Sequence, residues 1–388
     1  MTHDGGERVR PLPGSDPIGA RGERVRPLPG SDPIGATGSD PIGAIGAIGA
    51  AVRAPVLLDA IARRPVAKRP VWIMRQAGRY LPEYREFRKT HSFKELAGQP
   101  ELAAEVTLMP LKQFPLDAAI VFADIMSPLP AIGVEFDFDP GPVVAHPIRS
   151  ENDLERLRAP DEPIAPEVIA ALKLVREELA PGIALLGFCG APWTLAAYLV
   201  EGRGAKEFPT LRAFAAAEPR LLDRLLGKLT DLMADYLIAQ HKAGADAVQV
   251  FDSWAGLLSL ADWRRLIEPH LKHLLERVGE AGVPRILFLQ NAPHLVDAYA
   301  RLPAEVLATD WRLDLGALQR QYPDRAVQGN IDPAVLLAGP AATRRATEAL
   351  LGSVDATGHI VNLGHGILPT TPIASVEALI QTVSEESS

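Results

Sequence analysis

The sequence predicts an α/β fold, a single (β/α)8 barrel of the TIM type with its active site at the C-terminal ends of the strands. Three observations predict it. From Pro55 onward, eight short apolar runs alternate with longer amphipathic segments, the pattern of successive βα units on a parallel sheet. Nearly every run is followed by a polar side chain, and it is at this end of the strands that such barrels gather their chemistry. No GxGxxG or GxxxxGK turn is present, which disfavours an open doubly wound nucleotide-binding sheet.

The eight runs are 71–74, 118–122, 183–188, 247–251, 285–289, 306–309, 326–329 and 359–363. They are apolar throughout rather than alternating, as strands buried on both faces require. Helices are expected over 211–243, 261–281, 293–301, 340–351 and 371–385. Asp262 and Asp332 read as N-caps, and Gly244 and Gly282 sit where a helix ends in a left-handed residue. The polar groups at the strand ends are Arg75, Asp124, Asp252 with Ser253, Gln290 with Asn291, Asp310, Asn330 and His365. An inert barrel would also place polar residues there, because loops are polar, so their chemical identity matters more than their presence.

Bulk properties bound the function. The 388 residues carry 40 Lys and Arg against 48 Asp and Glu, a net charge of -8, which disfavours a surface built for nucleic acid or anionic lipid. Cys189 is the only cysteine, so no intramolecular disulfide or thiolate metal cluster forms within one chain, and no metal is expected. No run approaches a membrane span and the N-terminus lacks the layout of a signal peptide, so a cytoplasmic location is expected. Two domains of unequal character follow. The segment GERVRPLPGSDPIGA occurs at 6–20 and again at 22–36, with a shortened copy from Gly38. Rich in Gly and Pro, it buries too little apolar surface to offset the entropy of ordering it, so residues 1–51 are expected to be a disordered extension and 52–388 the barrel.

Arg75, Arg79, Arg85 and Arg88 crowd the segment after the first run. Arg79, Arg85 and Arg88 could form a solvated helix face paired with Glu83 and Glu86. Arg75 is different. It ends a buried strand, so its guanidinium is expected in the barrel mouth, where an unpaired charge is costly and a carboxylate or phosphate ligand would supply the partner.

The segment PVWIMRQAGRYLPEYRE (70–86) resembles the signature of the uroporphyrinogen decarboxylase family, and GFCGAPWTLAAYLVEG (187–202) resembles its second signature. FADI around Asp124, FDSWAG around Ser253, QGNIDP from Gln328 and NLGHG from Asn362 extend the resemblance over the chain after the repeats. It implies a cofactor-free carboxy-lyase of haem biosynthesis that converts the four acetate arms of uroporphyrinogen III to methyls, giving coproporphyrinogen III. By their place in the matching motifs, Arg75, Arg79 and Arg88 would bind substrate carboxylates, with the backbone of Gln76, Ala77 and Gly78 closing on the ring edge. Asp124 would be the central carboxylate that accepts the pyrrole N–H groups and, with Arg75, carry catalysis. Tyr198, Ser253 and His365 would contact further carboxylates, and His365 could be protonated there. A homodimer with facing clefts enters only through the resemblance.

Losing CO2 from an acetate arm needs an electron sink, and a pyrrole protonated on carbon is one. A buried carboxylate beside that cation stabilises it by about 4 kcal/mol at roughly 4 Å and an effective dielectric near 20. Other readings of single residues stay open: Asp124 as an N-cap for the segment from Ile125, and Ser253 as a turn residue whose hydroxyl satisfies backbone. The proton donor also stays open, since Arg75 is placed for it but is a weak acid. Two other functions are weighed. Related methyltransferases that activate a thiol on zinc need His and Cys ligands that a single cysteine does not provide, and a silent tetrapyrrole carrier would have no need of Asp124. Ala123 stands where a serine commonly precedes the central aspartate, and LPTTP follows NLGHG with a different loop from some members.

Overall fold

Seven of the eight apolar runs pair as strands of one parallel sheet in a computed structural model, which describes residues 54–139 and 141–386. The repeat segment, with its expected disorder, lies outside the described residues. In chain order the strands are β1 (Ala118–Ile120), β2 (Phe136–Phe138), β3 (Pro142–Val144), β4 (Ala184–Gly190), β5 (Ala247–Asp252), β6 (Arg285–Leu289), β7 (Val306–Thr309), β8 (Ala326–Ile331) and β9 (His359–Leu363). The sheet runs β1-β4-β5-β6-β7-β8-β9, while β2 and β3 form a separate antiparallel hairpin.

The first run, 71–74, closes the barrel between β9 and β1 without becoming a full strand. Val71 bridges Val361 of β9 in parallel, with Val361 N–H donating to Pro70 O at 2.9 Å and Trp72 N–H to Val361 O at 3.3 Å. On the other side Asp117 N–H donates to Val71 O at 2.8 Å. Side chains take its remaining donors: Val71 N–H goes to Asp117 Oδ2 (2.9 Å), Ile73 N–H to Gln76 Oε1 (3.1 Å) and Met74 N–H to Asn362 Oδ1 (2.9 Å). Apolar patterning places this segment in the sheet, but a strand needs its N–H groups for a ladder, and these are committed elsewhere.

A polar bridge spans the barrel interior. Trp72 Nε1 donates to Gln328 Oε1 at 3.1 Å, and Gln328 Nε2 donates to Gln249 Oε1 at 3.0 Å. Gln249 is on β5 and Gln328 on β8, with β6 and β7 between them, so the contact crosses the interior. Side chains alternate along a strand, so Phe251, two residues beyond Gln249, also faces inward. Phe188 is the register partner of Gln249 and Phe288 that of Phe251. The three rings meet edge to face, with centroids 5.7 Å apart in both contacts, and make an apolar floor beneath the mouth.

Outside the sheet, prolines and one serine revise the expected helices. The helix expected over 211–243 is two, Pro209–Ala217 and Pro219–Lys242, because Pro219 has no N–H to continue the first. Pro269 lies at the start of a second helix in the same way, dividing 261–281 into Leu260–Leu266 and Glu268–Glu280. Asp262 is not an N-cap. Ser259 is the cap, accepting from Asp262 N–H at 3.1 Å, and the Asp262 carboxylate accepts back from the Ser259 hydroxyl. Asp332 does cap its helix, accepting from Ala334 N–H at 2.9 Å, and Gly244 and Gly282 both adopt positive φ just beyond their helices.

The seam depends on Asp117, which is 6% exposed and pairs with both Val71 N–H and Lys68 Nζ. Asp117→Ala should destabilise the barrel by about 1–3 kcal/mol, the cost of a buried donor left without a partner. A lower Tm than that of the wild type, with Asp117→Asn between the two, is expected in a thermal melt; an unchanged Tm for Asp117→Ala would contradict this account of closure.

Candidate active site

The residues proposed from the strand ends do meet at one end of the barrel. Arg75 turns out of the seam with φ +63°, a left-handed backbone that non-glycine residues seldom adopt. Phe208 (φ 45°) and Asn291 (φ 53°) share this geometry, one packed on Tyr198 and Trp254, the other following β6. Strain of this kind is retained where surrounding structure enforces it, as it is at many functional sites. Solvent reaches the Arg75 side chain from the open mouth, while the loop after β9 supports it from below. A Cβ on Gly366 would come within 2.4 Å of Arg75 Cδ and 2.8 Å of Arg75 Cγ, so a larger residue there would displace the Arg75 side chain.

Arg75 and Asp124 face the same recess. Burial lowers the pKa of Arg75, with Asp124 and Tyr198 opposing that shift and Arg79 reinforcing it. Burial raises the Asp124 carboxyl above the usual carboxylate range, against the pull of the Met126 N–H and of Arg75. Burial likewise raises the Tyr198 phenol; the charge of Asp124 adds to this, and Arg75 and the Trp254 indole oppose it. The Trp254 N–H approaches that phenol without good hydrogen-bond geometry and is otherwise buried without a partner. Three side chains from the seam, the loop after β1 and the helix Pro192–Glu201 thus share one electrostatic environment.

What these groups leave unbonded matters more. No helix starts at Ile125, so Asp124 is not an N-cap; its Oδ1 accepts from Met126 N–H at 2.9 Å within a turn, and Oδ2 accepts no hydrogen bond among the described residues. Neither Arg75 nor Arg79 donates a side-chain hydrogen bond or forms an ion pair among them. Arg88 donates only to His91 O, at 2.5 Å. Ser253 donates its N–H to Thr194 Oγ1 at 3.0 Å, and its hydroxyl has no partner among the described residues.

The segment after Arg75 divides its labour. Gln76 is fully buried and structural: its N–H donates to Ile73 O at 2.8 Å and its Nε2 to Ala118 O at 3.0 Å. The N–H groups of Ala77 and Gly78 carry no hydrogen bond among the described residues, so they are the backbone donors left for a ligand. At Gly78 a Cβ would lie 2.9 Å from Arg75 O, which keeps this turn tight.

Other strand-end polar groups serve the scaffold. Asp252 is fully buried and accepts from Thr194 Oγ1 at 3.1 Å and from the Tyr299 hydroxyl; burial, opposed by these bonds, pushes its pKa up to about 6. Asn330 donates to the carbonyls of Asp310 and Leu313 at 2.9 and 2.8 Å. Asp310 accepts from Asn291 N–H and from Arg312.

His365 lies on the turn between Gly364 and Gly366, packed against Arg75 and the loop after β7. Burial and the charge of Arg75 push its pKa down to about 4, with Arg312 adding to the shift and Asp310 opposing it, so the ring is neutral near pH 7 in the unliganded protein. Arg312 was not anticipated from sequence, although it stands two residues beyond the strand-end Asp310. The aromatic floor was also missed, because Phe188, Phe251 and Phe288 read only as strand residues until the register aligns them.

Folded-state depression of an imidazole adds stability that is complete above the unfolded value near 6.5 and lost as pH falls through about 4. NMR of the His365 ring in unliganded protein should therefore show no titration between pH 8 and 6 and a midpoint near 4. A midpoint near 6.5 would mean that neither the walls nor Arg75 acts on this ring.

The family model described as uroporphyrinogen decarboxylase (URO-D) matches residues 54–386. A uroporphyrinogen decarboxylase from Geotalea uraniireducens is 42% identical over 328 residues, covering 84% of this chain and 97% of that relative. One from Chloroflexus aurantiacus is 45% identical over 336 residues, covering 84% of this chain and 94% of its own. Among solved structures, a methyltransferase from Methanosarcina mazei superimposes with TM-score 0.70 at 22% identity, covering 86% of this chain and 98% of that one. A B12-independent methionine synthase from Shewanella sp. W3-18-1 gives TM-score 0.54 at 10% identity, covering 77% of this chain and 91% of that one. At these identities the structural likenesses speak for the barrel alone.

Proposed function

Because the chain belongs to the uroporphyrinogen decarboxylase family, we propose that its mouth holds the uroporphyrinogen macrocycle with Asp124 at the centre and guanidinium groups at the rim. The observation that carries this reading is the set of unpaired charges. Asp124 keeps one oxygen open, and Arg75 and Arg79 have no partner among the described residues. A ring with four pyrrole N–H donors inside and eight carboxylates outside is complementary to a carboxylate surrounded by cations.

The residues then act as follows. Asp124 Oδ2 accepts pyrrole N–H bonds and, when a ring carbon is protonated, stabilises the resulting cation. Arrival of that cation favours the ionised carboxylate that burial alone disfavours. The C–C bond of the acetate arm breaks, its electron pair enters the cationic ring, and CO2 leaves. A proton taken up at the former methylene makes the methyl, and loss of the ring proton restores the pyrrole, so each arm consumes one proton overall. Arg75 and Arg79, with Arg88 on the helix Pro82–Thr90 that follows them, and the N–H groups of Ala77 and Gly78 hold carboxylates; Tyr198, Ser253 and His365 contact others. Because the electron sink is the substrate's own ring, no cofactor is required for this route. His365 enters as a neutral donor, and a bound carboxylate raises its pKa. The family resemblance also supports a homodimer and a cytoplasmic location, and no described helix is long and apolar enough to cross a membrane.

Purified protein incubated anaerobically with uroporphyrinogen III and no added cofactor should yield seven-, six-, five- and four-carboxyl products in sequence. Asp124→Ala should lower kcat by about 100-fold or more, the scale seen when one preorganised electrostatic group is removed. Arg75→Ala should be severely impaired, with KM and kcat both affected. Full activity in Asp124→Ala, or turnover that appears only after a metal, flavin or pyridoxal phosphate is added, would refute the assignment.

A further inference from the structure

Arg312, in the loop after β7, meets the physical requirements of a carboxylate site that the matching motifs do not include. Its backbone N–H donates to Asp310 Oδ1 at 3.0 Å and its Nη1 to Asp310 Oδ2 at 2.8 Å. The guanidinium lies 4.4 Å from the centroid of the Trp311 ring, which is itself 36% exposed. Asp310 is 2% exposed and also accepts from Asn291 N–H at 2.5 Å, so its carboxylate is a fixed anchor. The Arg312 side chain is held at one edge while remaining 41% exposed, and its Nε and Nη2 donors have no partner among the described residues. An arginine needed only to neutralise Asp310 would turn both arms of its fork toward the carboxylate.

The loop that carries it is pressed against the loop of His365. A Cβ on Gly364 would lie 2.6 Å from Trp311 N, which leaves no room to separate the two turns. His365 in turn lies within the fields of both Arg75 and Arg312, one across the mouth toward the seam and the other toward β7. A neutral imidazole between two cations, each with free donors, is an arc suited to neighbouring carboxylates on one rigid ring.

We propose that Arg312, with His365, is a second carboxylate subsite that takes a peripheral arm of the macrocycle other than the one reacting, and sets affinity and orientation rather than rate. This rests on the decarboxylase reading above. Remote contacts that bind ground state and transition state alike change KM and leave kcat nearly untouched.

The test compares wild type with Arg312→Gln, which can still donate to Asp310, and Arg312→Lys, which keeps the charge without the fork. Turnover of uroporphyrinogen and equilibrium binding of uroporphyrin, the oxidised eight-carboxyl ring, are measured together, with Tm recorded for each variant. For Arg312→Gln, KM and the uroporphyrin Kd should both rise about 10-fold, the loss of one charge-assisted contact at a half-exposed site, while kcat stays within about 2-fold. Arg312→Lys should fall between, and the His365 midpoint should move upward in Arg312→Gln. Unchanged KM and Kd in a variant with wild-type Tm would overturn the proposal, as would a fall in kcat with KM and Kd unchanged. Loss of binding only in proportion to a lowered Tm in both variants would also overturn it, by assigning Arg312 to loop stability. Uroporphyrin binding weakened in Arg312→Gln but no turnover by the wild type would sink the decarboxylase reading and leave the subsite standing.

Discussion

A carboxylate and a guanidinium, Asp124 and Arg75, that act on each other in one recess without closing into an ion pair are the constraint around which the mouth of this molecule is organised. In most folded proteins an arginine in a recess is paired, because the cost of leaving its charge uncompensated is several kcal/mol. Here Arg75 and Arg79 keep their side-chain donors without a partner among the described residues, and desolvation in the recess lowers the pKa of Arg75 and raises that of Asp124. Such an arrangement is stable only on a scaffold that forbids the obvious relaxation, in which Arg75 and Asp124 close on each other as an ordinary ion pair.

The barrel supplies that restraint. Arg75 is held by a left-handed backbone, by the buried amide of Gln76 stitched to Ile73 and Ala118, and by the Gly366 turn beneath it. Asp124 has one oxygen tied to Met126 N–H, which fixes the orientation of the other. Around them Asp252, Asp310 and Asn330 use their polar atoms on neighbouring helices and loops. Polar groups at the strand ends therefore serve two ends, and the distinction is whether a partner is already present in the protein.

That distinction could not be made from the chain alone. The apolar period placed the strands within a few residues, since burial on both faces leaves a continuous signature. It overstated the first of them, because Asp117, Gln76 and Asn362 reach the 71–74 segment from near and far and take the N–H groups a ladder would use. Likewise Asp262 carries the chemistry of a cap, yet Ser259 is the residue with extended backbone at that helix start. His365 was legible as a mouth residue from its Gly-flanked turn, whereas its charge state depended on Arg75 and Arg312, both distant in sequence.

By itself the sequence determined the fold class, the family through its two long motifs, and the residue types offered to the mouth, because periodicity and local motifs are properties of neighbours along the chain. Tertiary structure decided which of those residues are free. It committed Gln76 and Asp252 to the scaffold, left Ala77, Gly78 and one oxygen of Asp124 open, and brought Arg312 beside His365. The reason is that hydrogen-bond satisfaction and desolvation are set by groups that meet in space, and in a closed barrel those groups come from strands hundreds of residues apart.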